Sequence, residues 1–224
     1  METFGLSILI GTVCGNFLSN NIVIQPALCV RTVLSYTHPQ HAVHMRLIRV
    51  PTLQVQEAYS FYRTYILDYS RNKAEIYEQY GFSLQGSVGS KDWEVFAAIL
   101  VNDRARRGDG ADLVNYEVKS ATIGGSFEYQ YHRNRGLNKL TDDRDVDHIF
   151  IARSKTYMNV EVWLVERTKM IPTFDRWLPE LIQNYEAADR QRFRRSVTYG
   201  FVKIQGVRLL EITGGELRYF FETT

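Results

Sequence analysis

The chain has 224 residues, 45% hydrophobic and 23% charged, with 14 Tyr, 12 Phe and 3 Trp and a formal net charge of +2. That length suits one domain of generous size that buries roughly 70% of the surface its unfolded form exposes. The composition argues against a disordered chain, and the near-neutral charge neither demands nor excludes a nucleic-acid partner.

Near the N-terminus, LSILIGTVCGNFL is apolar but short, lacks a basic leader and runs into polar SNN. It reads as a buried element rather than a signal peptide or a membrane span, so no membrane partner is expected. Cys14 and Cys29 give neither a zinc spacing nor a disulfide framework, and a reduced, cytoplasmic setting is the default. The run HPQHAVH reads as a loop. Its histidines, His38, His41 and His44, fall at intervals of three, but Pro39 and the lack of acidic or cysteine neighbours argue against a metal site.

From 52 to 79 the pattern is helical. Leu53, Ala58, Phe61, Tyr62, Tyr65, Ile66 and Tyr69 recur at three- and four-residue intervals, a stripe that reads as core. Residues 81–90 form a loop, and Ser90 is placed to cap the helix KDWEVFAAILVND. RARR and a Gly108-Asp109-Gly110 turn lead into a strand at 112–120. After IGGS, residues 127–140 read as helical despite Gly136. HIFIAR (148–153) is an apolar strand, and VEVWLVE (160–166) alternates strictly, so the two form a hairpin or adjacent strands. TFDRWLPELIQNYEAA is helical in its second half. VTYGFVKI, VRLLEI and ELRYFF read as closing strands, broken by Gly206 and by Gly214-Gly215. The order predicts an α/β (α+β) fold with a mixed central sheet flanked by helices, in one unit spanning 1–224.

The strand at 112–120 carries charges inside an otherwise apolar pattern. Alternation puts Leu113, Asn115, Glu117 and Lys119 on one face and Val114, Tyr116, Val118 and Ser120 on the other, where they can pack against a helix. Glu117 and Lys119 then stand about 6.7 Å apart on the same side. A bend at the glycine-rich turn brings Asp112 toward Glu117. Two converging carboxylates repel, and they stay ionised together only around a cation. With oxygen ligands that cation is Mg²⁺, whose bound water is acidic enough to attack a phosphodiester, while the Lys119 ammonium positions the water. The plainer alternative is an edge strand whose Glu and Lys face solvent.

Asp112 followed by Glu117-Val118-Lys119 resembles the signature of the PD-(D/E)XK nuclease superfamily, to which most type II restriction endonucleases belong. The similarity covers roughly residues 90–190: a helix before the acidic strand, then a helical crossover and an apolar strand. It implies Asp112 and Glu117 as metal ligands, the Val118 backbone carbonyl as a third oxygen, Lys119 orienting the nucleophilic water, and Glu94 on the preceding helix as a further ligand. Ala111 stands where the family often has proline, and the gap between Asp112 and Glu117 is short, which leaves Asp109 as a fallback acid. In this reading 90–190 is the catalytic core. Residues 1–89 and the strands of 191–224 supply DNA recognition or dimerisation.

Two further clusters fit that reading. In FEYQYHRNR, Gln130, His132 and Arg133 follow the signature closely, and in DRQRFRR, Arg192, Arg194 and Arg195 offer phosphate contacts. Solvated helix surfaces are the plain alternative for both. No Ser-His-Asp order, P-loop or dinucleotide fingerprint is present. The expected function is a Mg²⁺-dependent, sequence-specific endonuclease on double-stranded DNA, acting as a homodimer so that both strands are cut. The alternatives are a non-catalytic nucleic-acid-binding or assembly protein with the same fold, and a structure-specific DNA or RNA nuclease.

Overall fold

A computed structural model describes residues 50–108, 110–186 and 191–222, together with the backbone of two short strands, β1 (Val30–Val33) and β2 (Arg46–Arg49), which pair antiparallel. The apolar N-terminal run, Cys14, Cys29, the three histidines of HPQHAVH and the fallback acid Asp109 lie outside the described residues.

The aromatic stripe of 52–79 winds into one continuous helical rod: α1 (Val55–Phe61), a wider π-helical stretch over Tyr62–Asp68, and α2 (Tyr69–Gln79). Ala58, Tyr62 and Ile66 are fully buried, whereas Tyr65 and Tyr69 are exposed, so only half of the expected stripe faces the core. α3 (Ser90–Leu100) follows, packed against the rod. Its cap is Gly89 rather than Ser90: the Gly89 amide donates to the Asp92 carboxylate at 3.1 Å, so the reciprocal acid does the capping that was expected of the serine.

The central sheet has the order β3-β5-β6-β8-β9, with β3 (Tyr116–Thr122) at one edge. β3 and β5 (Asp147–Arg153) are parallel, and β6 (Val160–Val165), β8 (Val207–Thr213) and β9 (Glu216–Phe220) continue antiparallel. This is the expected mixed α/β architecture. Both faces of the middle strands are covered, which is why β5 reads as a continuous apolar run, and β6 does not alternate as expected: Val162, Trp163, Leu164 and Val165 are all buried. Ile149, Ile151, Val162 and Leu164 point to the layer formed by the helical rod and α3. Phe150, Ala152, Trp163 and Val165 point to the opposite layer, with Phe174 and Trp177.

That second layer is built differently from the expectation. Residues 127–140 are not one helix. They form β4 (Ser126–His132) and then α4 (Gly136–Arg144). Phe127, Tyr129 and Tyr131 are fully buried while Ser126, Glu128 and His132 are exposed, a period of two that outweighs helix propensity. DRQRFRR is no helix end either: β7 (Arg192–Thr198) pairs antiparallel with β4 as a separate two-stranded ribbon. α5 (Arg167–Glu186) is longer than the pattern showed and carries Pro172 and Pro179 inside it. VTYGFVKI is split, its second half being the short helix α6 (Tyr199–Gln205), capped by the Thr198 hydroxyl accepting from Phe201 N–H at 3.2 Å. Among the described residues no helix is long and apolar enough to cross a membrane.

Candidate functional site

The strand begins at Tyr116, four residues later than its pattern promised. Residues 104–108 and 110–114 form two limbs that pair with each other instead. Arg106 N–H donates to Asp112 O at 3.1 Å and Val114 N–H to Arg104 O at 3.0 Å, so Asp112 sits on the returning limb of a small hairpin. Leu113 is buried and Asn115 exposed, so the face shared with Glu117 starts only inside β3. Gly110 allows the fold-back: its φ is +138°, and a Cβ there would lie 2.7 Å from the Asp142 carboxylate.

The bend does bring Asp112 to Glu117. Asp112 N–H donates to Glu117 Oε2 at 3.0 Å, and Val118 N–H donates to Asp112 Oδ2 at 3.1 Å. Glu117 is fully buried, which overturns the water-facing alternative for this residue. Its face is that of His148 and Phe150, under β4 and α4, while Val118 packs in the opposite layer as expected.

The cation between the acids is Lys119. Its ammonium bonds Glu117 Oε1, lies 3.6 Å from Asp112 Oδ2, donates to Val118 O at 3.3 Å, and sits 5.1 Å from the Tyr129 ring centre. Those three oxygens are the ones expected to hold a metal. They converge on one point, and the ammonium stands at that point.

A second lysine, which sequence reasoning did not single out, completes the balance. Lys139 on α4 donates to Glu117 Oε1 at 3.1 Å, to Asp143 Oδ1 at 2.9 Å and to the Gly110 carbonyl at 2.9 Å. Tyr131 OH closes the network on Asp143 Oδ2 at 3.0 Å. The signal for Lys139 was its i,i+4 spacing to Asp143 on a helix following the signature, hidden while 127–140 was read as one helix. Two ammonium groups thus face Asp112, Glu117 and Asp143.

Burial opposes the charge on Glu117, but the Lys119 and Lys139 ammonium groups outweigh it and hold the carboxyl below its ordinary range. Burial tends to lower Lys119, and the Glu117 and Asp112 carboxylates turn that into a raised value. Asp112 is raised by burial, only partly offset by Lys119. Asp143, buried and close to the Glu117 charge, is pushed up to about 7. His148 is fully buried, shares a hydrogen bond with Tyr129 OH at 2.8 Å, and is pushed down to about 3 by burial.

Asp112 also reaches a cleft of about 540 Å³ on the α3 side, lined by Glu94, Lys91, Ala98, Asn102 and Arg104 among others. Glu94 is paired there with Lys91 and touches neither Glu117 nor Lys119. Among the described residues no group of three or more His, Cys, Asp or Glu side chains is placed to hold a metal ion. What does converge is two carboxylates and one carbonyl, a donor set whose chemistry fits a hard cation such as Mg²⁺ once Lys119 withdraws.

Of the nucleic-acid candidates, Gln130, His132, Arg192 and Arg194 come together on the outer face of the β4–β7 ribbon. Arg195 does not join them: it lies over the Phe193 ring and pairs with Glu180 at 2.6 Å. Arg133 follows the ribbon, its N–H donating to Gln191 O at 2.9 Å. Comparison with models of known protein families gives no match, and neither does comparison with curated proteins.

Proposed function

We propose that the chain is a Mg²⁺-dependent endonuclease that hydrolyses phosphodiester bonds of double-stranded DNA, of the type II restriction class, working in the cytoplasm as a homodimer that cuts both strands. The observation that carries this reading is the convergence of Asp112 Oδ2, Glu117 Oε1 and Val118 O on a single cation position beside a cleft. Parallel pairing of β3 and β5 across the β4–α4 crossover agrees with the nuclease resemblance.

In this reading Asp112, Glu117 and the Val118 carbonyl hold Mg²⁺. The bound ion would neutralise the scissile phosphate and acidify a water. Lys119, swung from between the carboxylates toward the cleft, orients that water with its ammonium. Lys139 stays with Glu117 and keeps it ionised while Lys119 is away. Tyr129 walls the site from solvent on the ribbon side.

A second reading has its own support. The ammonium at the convergence point makes the present arrangement closed, as in a non-catalytic nucleic-acid-binding protein. Incubation of the full chain with phage DNA, with Mg²⁺ or with EDTA, separates the two on a gel. Discrete bands that need Mg²⁺ and vanish in Glu117→Gln and Lys119→Ala are the expected result. A smear means cleavage without sequence specificity, and intact DNA under all conditions sinks the nuclease reading.

A further inference from the structure

The β4–β7 ribbon has two unlike faces. Phe127, Tyr129, Tyr131, Phe193 and Val197 are buried against the fold, and the register runs without a shift from Ser126 opposite Thr198 to His132 opposite Arg192. The outer face presents Glu128, Gln130, His132, Arg192, Arg194 and Ser196. On it, Arg192 and Arg194 are two residues apart on one strand. The Gln130 amide oxygen, turned toward them, accepts from Arg192 Nη1 at 3.3 Å and from Arg194 Nη2 at 3.1 Å.

Arg195, next on the same strand, reaches the Glu180 carboxylate. Among the described residues no carboxylate pairs with Arg192 or Arg194, whose guanidinium groups meet the Gln130 amide oxygen instead. Like charges held side by side on a stiff scaffold favour an anionic partner. Dimensions narrow the choice. A two-stranded ribbon enters the major groove of B-form DNA, about 12 Å wide. Outward side chains two residues apart on a strand repeat every ~6.7 Å, close to two base-pair steps of ~3.4 Å. The deep, narrow major groove of an RNA duplex does not admit such a ribbon. The ribbon end carrying His132 and Arg192 is also the site end of the fold, because Tyr131, one residue from His132, bonds the Asp143–Lys139–Glu117 chain.

We infer that the outer face of the β4–β7 ribbon reads the major groove of B-form duplex DNA, with Arg192 and Arg194 as the contacting groups and Gln130 as the brace between them. The inference deepens the proposed function and rests on duplex DNA being the substrate. Arginine there serves for both charge and shape, since its fork meets guanine or phosphate with two bonds where lysine makes a point contact.

The test is fluorescence anisotropy on the full chain in EDTA, with a random-sequence DNA duplex, the same sequence as an RNA duplex, and phosphatidylserine vesicles as probes. The expected result is tightest binding to the DNA duplex. Joint replacement Arg192→Ala and Arg194→Ala should weaken it roughly tenfold or more. The slope of log affinity against log salt should flatten by at most about 1.8, the value for two phosphate contacts at about 0.9 each, and by less for each fork that meets guanine instead. Joint replacement by lysine should keep the slope and lose sequence preference in selection from a random library. Wild type that fails to bind DNA, or prefers the RNA duplex or the vesicles, overturns the inference, as does an alanine pair that binds like wild type. DNA held through the ribbon but never cut sinks the catalytic reading and leaves this one standing. Normal cleavage and affinity in the alanine pair do the reverse.

Discussion

Asp143 and His148 lie five residues apart in the same buried layer, and folding moves their protons in opposite directions. Asp143 rises from 3.8 to about 7, so the folded chain holds a proton that the unfolded chain has lost, and this contribution to stability fades as pH rises through about 7. His148 falls from 6.5 to about 3, so its contribution is present above 6.5 and fades as pH drops. Asp112, also raised by burial, leans the same way as Asp143. Between about pH 5 and 6.5 the two main effects oppose one another, and wild-type stability should change little with pH. Asp143→Asn should uncover the histidine, with stability rising with pH by up to about 1.4 kcal/mol per unit; His148→Gln should uncover the aspartate, with a slope of opposite sign. Urea unfolding across that pH range measures both. Slopes of the same sign in the two variants would mean that the protons are not arranged this way.

At the scale of elements, the joint between β4 and α4 is set by Gly136. A Cβ there would lie 2.9 Å from Tyr131 Cβ and 2.1 Å from the Tyr185 hydroxyl, so the helix start rests directly on the strand and on α5. Alanine would gain up to about 1 kcal/mol of helix propensity but force apart a packed joint, at about 1–3 kcal/mol. Gly136→Ala should therefore lower unfolding stability in urea, and since Lys139 lies one turn on, it should also shift the hold on Glu117. A variant more stable than wild type would show that the joint yields. The same joint explains what the sequence concealed. β5 and β6 were legible because apolar runs flanked by turns have few other uses. β4 was legible too, in the alternation of Phe127, Tyr129 and Tyr131 with polar residues, but Phe127 and Tyr131, four apart, also suit one side of a helix, and an interior glycine such as Gly136 does not forbid one. β7 was not legible alone: an arginine-rich run becomes a strand only when β4 offers it a partner, and that pairing is tertiary. In the site, Glu117 and Lys119 were legible by local spacing and Asp112 by its turn. Lys139 was not, because its role depends on where α4 is docked.

At the scale of the whole molecule, the charge cluster sits on the sheet's edge strand and is shielded by the ribbon and α4, so its ionic balance is part of the fold's stability. If Asp112 and Glu117 hold a divalent ion, wild type should melt higher in Mg²⁺ or Ca²⁺, by up to about 2.7 kcal/mol at a hundredfold excess over Kd, less whatever Lys119 loses on leaving. Asp112→Asn should gain much less. Lys119→Met should be less stable without the ion, with two buried carboxylates short of a counter-charge, and should gain more than wild type when the ion is added. Thermal melting of the three proteins decides the matter: an ion response equal in all of them would remove Asp112, Glu117 and Lys119 from any metal site.

The ribbon joins strands that are distant in the chain, with α4, β5, β6 and α5 between them. Closing so long a loop is entropically slow, so contacts of this kind form late in folding. During synthesis the order is stricter still. Asp112, Glu117, Lys119 and Lys139 leave the ribosome well before Arg192 and Arg194 exist, so a nascent chain carries its ionic cluster before the ribbon's arginines. Until β7 arrives, β4 is an open edge with three large aromatic side chains and no strand to cover it, which makes the interval before β7 emerges the period when the growing chain is most exposed to mispairing with a neighbour.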